Sequence, residues 1–414
     1  MTQSLGAKTM PEYFEKRWNS KGLKIAAALI VFVFLIPYTA SVYNGLSRLF
    51  NMAFQIESEG AYKIIIIVMA LLTAIYVILG GYAATAINDF IQGIVMLIGI
   101  AAVVICAIQN QGGLTSALAA LGEIEVNGKT NTLNSVFGPD PLNLLGVVIL
   151  TSLGTWGLPQ MIQKYFGIKD DKQAKRGIVI STFFALLVAG GGYFIGSLCH
   201  RFFTADEIAS FKKPVQDYIV PNMLKVANLP NILLGIVLVL LIAASVSTLC
   251  SITLTASSTF SMDFVKSVLK PEMKEKKVTA LTKILCVVFI ICSYVVANTD
   301  TPILDMMSYS WGIISGSFLA PYVVALFWKR MNRQGAWAAM IGGFCVAIIP
   351  AICKLLTAFG LENATAASLA GFGPLFACIA MLLSLALCFI VSAITGKEDE
   401  NITELFYNGI VEKE

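Results

Sequence analysis

The sequence predicts an all-α, polytopic membrane protein of about ten transmembrane helices, and three observations carry that expectation. Of the 414 residues, 57% are hydrophobic and only 13% charged, with a mean hydropathy of +0.78, whereas a soluble domain carries about a quarter charged residues. The apolar residues fall in continuous runs long enough to cross a bilayer, not in the alternating pattern of barrel strands. Lysine and arginine are shared unequally between alternate connecting segments. This composition would overfill a soluble core, and a disordered or nucleic-acid-binding chain needs far more charge. The expected surroundings are a lipid bilayer, with no nucleic-acid partner.

Residues 1–23 form a polar segment without the small-residue cleavage pattern of a signal peptide, so the chain is expected to open in the cytoplasm or as a fragment. Ten apolar runs follow, at 24–50, 63–81, 84–108, 144–164, 177–199, 230–260, 279–298, 304–328, 335–357 and 372–395. Between the third and fourth, 109–143 is rich in Gly, Asn and Thr. Between the fifth and sixth, 200–230 reads as an amphipathic surface helix with a proline-marked end. Neither loop is a separate domain, so 24–395 is expected to be one transmembrane domain and 396–414 a cytoplasmic tail. An even number of spans places both termini on one side, and the segments of that side hold 21 basic residues against 8 on the other. The positive-inside rule then predicts a multi-pass cell-membrane protein with both termini cytoplasmic. The nine cysteines form no CxxC pair and lie mostly within apolar runs, where Cys acts as a small hydrophobe.

The sixth run carries the most chemistry. Ten serines and threonines crowd into residues 245–261, and Ala244, Ser247, Thr248 and Ser251 stand at i, i+3, i+4 and i+7, one face of a helix. Two readings are open. Hydroxyls and a backbone carbonyl make an oxygen site for a hard monovalent cation such as sodium. Alternatively, Ser and Thr bond back to i−4 carbonyls and let helices pack closely. Asp89, the carboxylate inside the third run, also has two readings: a functional intramembrane acid, or a carboxylate favoured by the positive end of a helix that begins just before it. In the fourth run, Gly154, Gly157 and Pro159 interrupt the backbone ladder, which reads as a packed proline kink or as a broken helix that serves as a hinge beside a solute site.

Other features are structural. His200 sits at a span end beside Arg201 and leaves no imidazole for base or triad chemistry. Without a histidine cluster or paired acids at membrane depth, the chain is not expected to be an enzyme. Gly192 with Gly196, and Gly312 with Gly316, have GxxxG spacing and are expected to let helices pack closely. Arg48 and Lys63 are expected to snorkel.

Several pieces in order carry a family resemblance: Pro11-Glu12-Tyr13-Phe14 through Arg17, Gly80-Gly81 with Asn88-Asp89 and Gln92, and Gly157-Leu158-Pro159. They continue with Ala243-Ala244, Ser247-Thr248 and Met262-Asp263, then Ser310-Trp311-Gly312 with Pro321, and Phe327-Trp328-Lys329-Arg330 to Gly335-Ala336. Together these resemble the sodium:solute symporter family, which includes sodium/proline, sodium/pantothenate and sodium/sugar cotransporters. The resemblance implies a LeuT-type fold of two inverted five-helix repeats and Na+-coupled symport of a small organic solute by alternating access. It assigns the Ala244 carbonyl and the Ser247 and Thr248 hydroxyls to sodium. A second sodium would use Asp89, Ser247 and Ser251, although Cys250 stands where members can have another hydroxyl and Asn88 replaces the usual Thr. Ser152, Thr155 and Trp156 would face the solute, with Thr155 where members often carry tyrosine.

In relatives the motif from Pro11 to Arg17 follows three earlier spans, so the resemblance also implies an incomplete first repeat and a truncated or split transporter, completed by a separate N-terminal fragment and inactive alone. A hydroxyl-lined channel, or a solute sensor on the same fold that does not transport, would present the same sequence features.

Overall fold

A computed structural model describes residues 7–54, 59–126, 128–166, 168, 170–226, 231–299, 301–358, 360 and 364–396. The expected tail beyond Gly396 lies outside the described residues, as do the side chains of Gly80, Gly81 and Asn88. Among the described residues the elements are helical, apart from one isolated bridge between Val126 and Lys129. Among the described residues eight helical segments are long and apolar enough to cross a membrane, and two shorter apolar helical segments, Lys63–Ile75 and Pro141–Ser152, overlap the second and fourth expected runs.

Helix α1 (Met10–Trp18) starts at Thr9, whose hydroxyl accepts the Glu12 amide at 3.2 Å, and ends at Asn19 in the left-handed region. It is followed by α2 (Lys21–Ala53) and α3 (Glu59–Asn110). The second and third runs were expected to be two spans, but they lie in this one unbroken 52-residue helix. Glycine costs a helix only about 1 kcal/mol against alanine, so Gly80-Gly81 without a proline does not end it. The outer loop folds into α4 (Leu114–Glu123).

The fourth run breaks where glycine and proline predicted: α5 (Pro141–Ser152), a 3-10 turn over Gly154–Gly157, then α6 (Pro159–Phe166). After α7 (Asp171–Leu198), the 200–230 segment holds two helices, α8 (Ala205–Ala209) and α9 (Gln216–Val226), with Pro221 inside α9, while Pro230, which marks the expected end, lies outside the described residues. The hydroxyl-rich run is α10 (Asn231–Thr259), which continues as a π-helix over Phe260–Leu269. Then come α11 (Glu275–Ala297), α12 (Ile303–Phe327), α13 (Arg333–Ala347) and α14 (Ile349–Ala358), the last two dividing the ninth run at Ile348. Helices α15 (Ala364–Ala370) and α16 (Gly373–Ile394) complete the order.

Helix α12 is the axis of the core, buried on most of its surface and packed on α2, α13, α16 and the 3-10 turn. Small residues set these approaches. A side chain on Gly312 would meet Ala377, and one on Gly316 would meet Ala380, so this GxxxG pair does what its spacing suggested. The other pair does not. Among the described residues no other element comes within 4 Å of a Cβ built on Gly192 or Gly196, whereas one on Gly191 would come within 2.8 Å of Ile100. Face, not spacing, decides which glycine of α7 is used.

The polar N-terminal segment joins the core. Met10, Tyr13, Phe14 and Trp18 are almost fully buried, in one cluster with Leu158, Ile162, Ile252 and Phe318. Arg17 donates to the Met331 carbonyl at 3.2 Å, and the Trp18 indole donates to the same oxygen at 3.3 Å. Thr9 donates to Asp263 at 2.6 Å, joining α1 to the π-helix that follows α10.

Candidate functional site

Three elements meet at the oxygen-bearing face of α10. Ser247 Oγ donates to Asp89 Oδ1 on α3 at 2.5 Å, and Thr248 Oγ1 donates to the Ala244 carbonyl at 2.8 Å. The back-bonding reading is seen at Thr248, whereas Ser247 is bonded to a neighbouring helix. Thr248 bonds back along its own helix, but its lone pairs remain and lie beside the Ala244 oxygen. Ser247 turns to a carboxylate on a neighbouring helix, which leaves its own lone pairs able to accept a cation. Ala244, Ser247, Thr248 and Ser251 are half-buried, and Cys250 is fully buried beside Cys286.

Asp89 sits thirty residues beyond the Glu59 start of α3. A helix-end charge acts only within the first turn, so the helix-start reading of Asp89 falls. Its second oxygen, Oδ2, lies 3.3 Å from Lys164 Nζ at the end of α6. Beside it, Gln163 accepts the Thr255 hydroxyl at 2.8 Å, which fastens α6 to α10. Lys164 and Gln163 escaped the sequence reading because their partners are 75 and 92 residues away in sequence.

The break between α5 and α6 has an identifiable cause. A Cβ on Gly157 would stand 2.9 Å from the Ser315 Cα, so α12 passes against bare backbone there. Ser315 Oγ donates to the Gly154 carbonyl at 2.5 Å and so satisfies a group that the break would otherwise orphan. Leu158 is extended, and Pro159 opens α6, where it needs no N–H partner. Ser315 was also missed; the available signal was its place between Gly312 and Gly316.

Of the residues expected to face a solute, Ser152 is exposed at the end of α5, Thr155 donates to the Ser152 carbonyl at 3.1 Å, and Trp156 is 59% exposed. The structure brings none of the three into hydrogen-bond contact with the α10 stripe among the described residues. The connection runs through α6, which begins two residues after the turn and carries Gln163 and Lys164.

Arg48 departs from its expected role. It is buried, ion-paired with Asp217 at the start of α9, and lies over the Tyr218 ring at 5.2 Å. Asp217 also accepts the Ile303 amide at 3.0 Å. A guanidinium with a carboxylate and an aromatic face at hand has no need to reach for the interface. Lys63, by contrast, is exposed.

The model of the sodium:solute symporter family matches residues 2–343. The osmoregulated proline transporter OpuE of Bacillus subtilis (strain 168) is 27% identical over 413 residues, 98% of this chain and 77% of that one. A sodium/proline symporter of Staphylococcus aureus is 29% identical over 349 residues, 82% of this chain and 65% of that one. The chain thus spans roughly two thirds to three quarters of the length of these relatives. Among solved structures, a substrate-bound, outward-open Na+-coupled sialic acid symporter superposes with a TM-score of 0.62 at 17% identity, over 94% of this chain and 78% of that one. At that identity the likeness is one of fold, and it bears out the all-α, LeuT-type class.

Proposed function

The chain belongs to the sodium:solute symporter family, and from that premise we propose that it is a sodium-coupled symporter of a small organic solute, working by alternating access. Sodium is held by the Ala244 carbonyl and the Ser247 and Thr248 hydroxyls. Asp89 orients Ser247 and supplies the compensating negative charge, and Ser251 lies one turn further along the same face. The observation that carries the reading is the 2.5 Å bond from Ser247 to Asp89. It turns a hydroxyl of a greasy helix toward a half-buried carboxylate on a neighbouring helix.

The solute is placed at the broken helix, with Ser152, Thr155 and Trp156 facing it and Gly154, Gly157 and Pro159 giving the turn. Sodium drives transport only through its different affinity for the two states. A ligand bridging α10 and α3 beside α6 is positioned to sense a shift of α6, because Thr255–Gln163 and Asp89–Lys164 span those elements. The relatives are named as proline transporters, which makes proline the first solute to test. The chain is placed in the cell membrane with both termini cytoplasmic, as the 21-to-8 division of basic residues supports.

The test is uptake of radiolabelled proline and other small amino and organic acids into proteoliposomes holding the chain together with the three preceding spans of a relative, beside the chain by itself, which is expected to be inactive. An inward sodium gradient is expected to drive accumulation that an equal potassium gradient does not. Uptake indifferent to the cation, or single-channel currents in place of saturable counterflow, would overturn the reading.

A further inference from the structure

We propose that Lys164 is a tethered cation that holds Asp89 in the sodium-free state and must leave it when sodium binds, so that this lysine sets the sodium affinity. The inference deepens the function proposed above and rests on it. Asp89 divides its two oxygens between two partners: Oδ1 takes the Ser247 hydrogen at 2.5 Å and Oδ2 takes the Lys164 ammonium at 3.3 Å. An ammonium only donates, so it offers sodium no ligand. It competes for the same negative charge.

One carboxylate balances one monovalent cation. Sodium arriving on Ser247 with Lys164 still in place would leave a net positive charge in a partly buried site, which is costly. Lys164 has somewhere to go: its side chain is 50% exposed, against 25% for Asp89. It is also mounted on the element that moves if the broken helix moves. Helix α6 follows the Gly154–Gly157 turn directly, and Gln163 beside the lysine is fastened to Thr255 of α10. Exchange of ammonium for sodium at Asp89 therefore loosens α6 from α3 while the α10 fastening remains. That converts ion binding into freedom of the segment that carries Thr155 and Trp156. Lys164 is a positioning residue in this scheme and acts through Asp89.

Sodium binding to the purified full chain, followed with 22Na+ against choline at constant ionic strength, is the test. Lys164→Gln is expected to lower the half-saturating sodium concentration about three- to fivefold, the size that an ion pair of this exposure supports. Lys164→Arg is expected to return it most of the way to the parent value, and in an Asp89→Asn background Lys164→Gln is expected to change nothing. A second measurement needs no variant: sodium, but not choline, should raise modification of Lys164 by an amine-reactive reagent, read by mass spectrometry. Parent chain that binds sodium while Lys164→Gln binds it no more tightly, or while sodium leaves Lys164 labelling unchanged, would overturn this inference and leave the symporter reading standing. A parent chain that binds no sodium would overturn both.

Discussion

At the scale of residues, the buried charges carry the most consequence. Arg48 and Asp217 are both almost wholly enclosed, and the pair ties α2 to α9, with the Ile303 amide of α12 on the same carboxylate. Removing one partner of such a pair leaves the other charge uncompensated, which costs about 3–5 kcal/mol. Arg48→Met and Asp217→Asn are each expected to lower the midpoint of thermal unfolding in detergent. The double variant is expected to be less destabilised than the two single losses added together, and strictly additive losses would show that the pair is not coupled. The sequence disclosed the stripe from Ala244 to Ser251 because its members are neighbours on one helix. It did not disclose Lys164, Gln163, Asp217 or Ser315, because each is defined by a partner at least 75 positions away. Periodicity sees one helix at a time.

At the scale of elements, the broken helix was readable in advance and the long one was not. Proline and glycine leave a chemical signature, so Gly154–Pro159 could be placed to the residue. The expected boundary between the second and third runs, at 81–84, has no proline, and α3 passes through it. The same distinction makes a prediction. Gly157→Ala would drive a methyl to 2.9 Å from the Ser315 backbone, and overpacking of this kind costs about 1–3 kcal/mol. Ser315→Ala removes the donor to the buried Gly154 carbonyl, at about 1–3 kcal/mol. Both are expected to lower the unfolding midpoint and to slow solute uptake more than they change the sodium requirement. Wild-type stability in Gly157→Ala would mean that α12 and the turn are not in contact.

At the scale of the whole molecule, the fold class was legible in composition and run length, whereas the sidedness depends on how often α3 crosses. If its two apolar portions, Lys63–Ile75 and Asp89–Asn110, are separate crossings, a membrane-impermeant amine reagent on intact cells should label Lys129, Lys212 and Lys213. It should spare Lys172, Lys274 and Lys277, all six being exposed in the structure. Protection of Lys129 with labelling of Lys172 would mean that α3 crosses once and would invert the assignment of everything that follows α3.

The account as a whole depends on the α10 oxygens being the place where sodium acts. The most direct measurement is the sodium dependence of solute uptake in proteoliposomes that also hold the three preceding spans of a relative, compared between the parent chain, Ser247→Ala and Thr248→Ala at saturating solute. Loss of one hydroxyl ligand, at about 1.5–3 kcal/mol for a hydrogen-bonding group that meets a charge, is expected to raise the half-saturating sodium concentration at least about tenfold in each variant, with the solute affinity at high sodium much less affected. Uptake by both variants with the parent's sodium requirement would contradict the account.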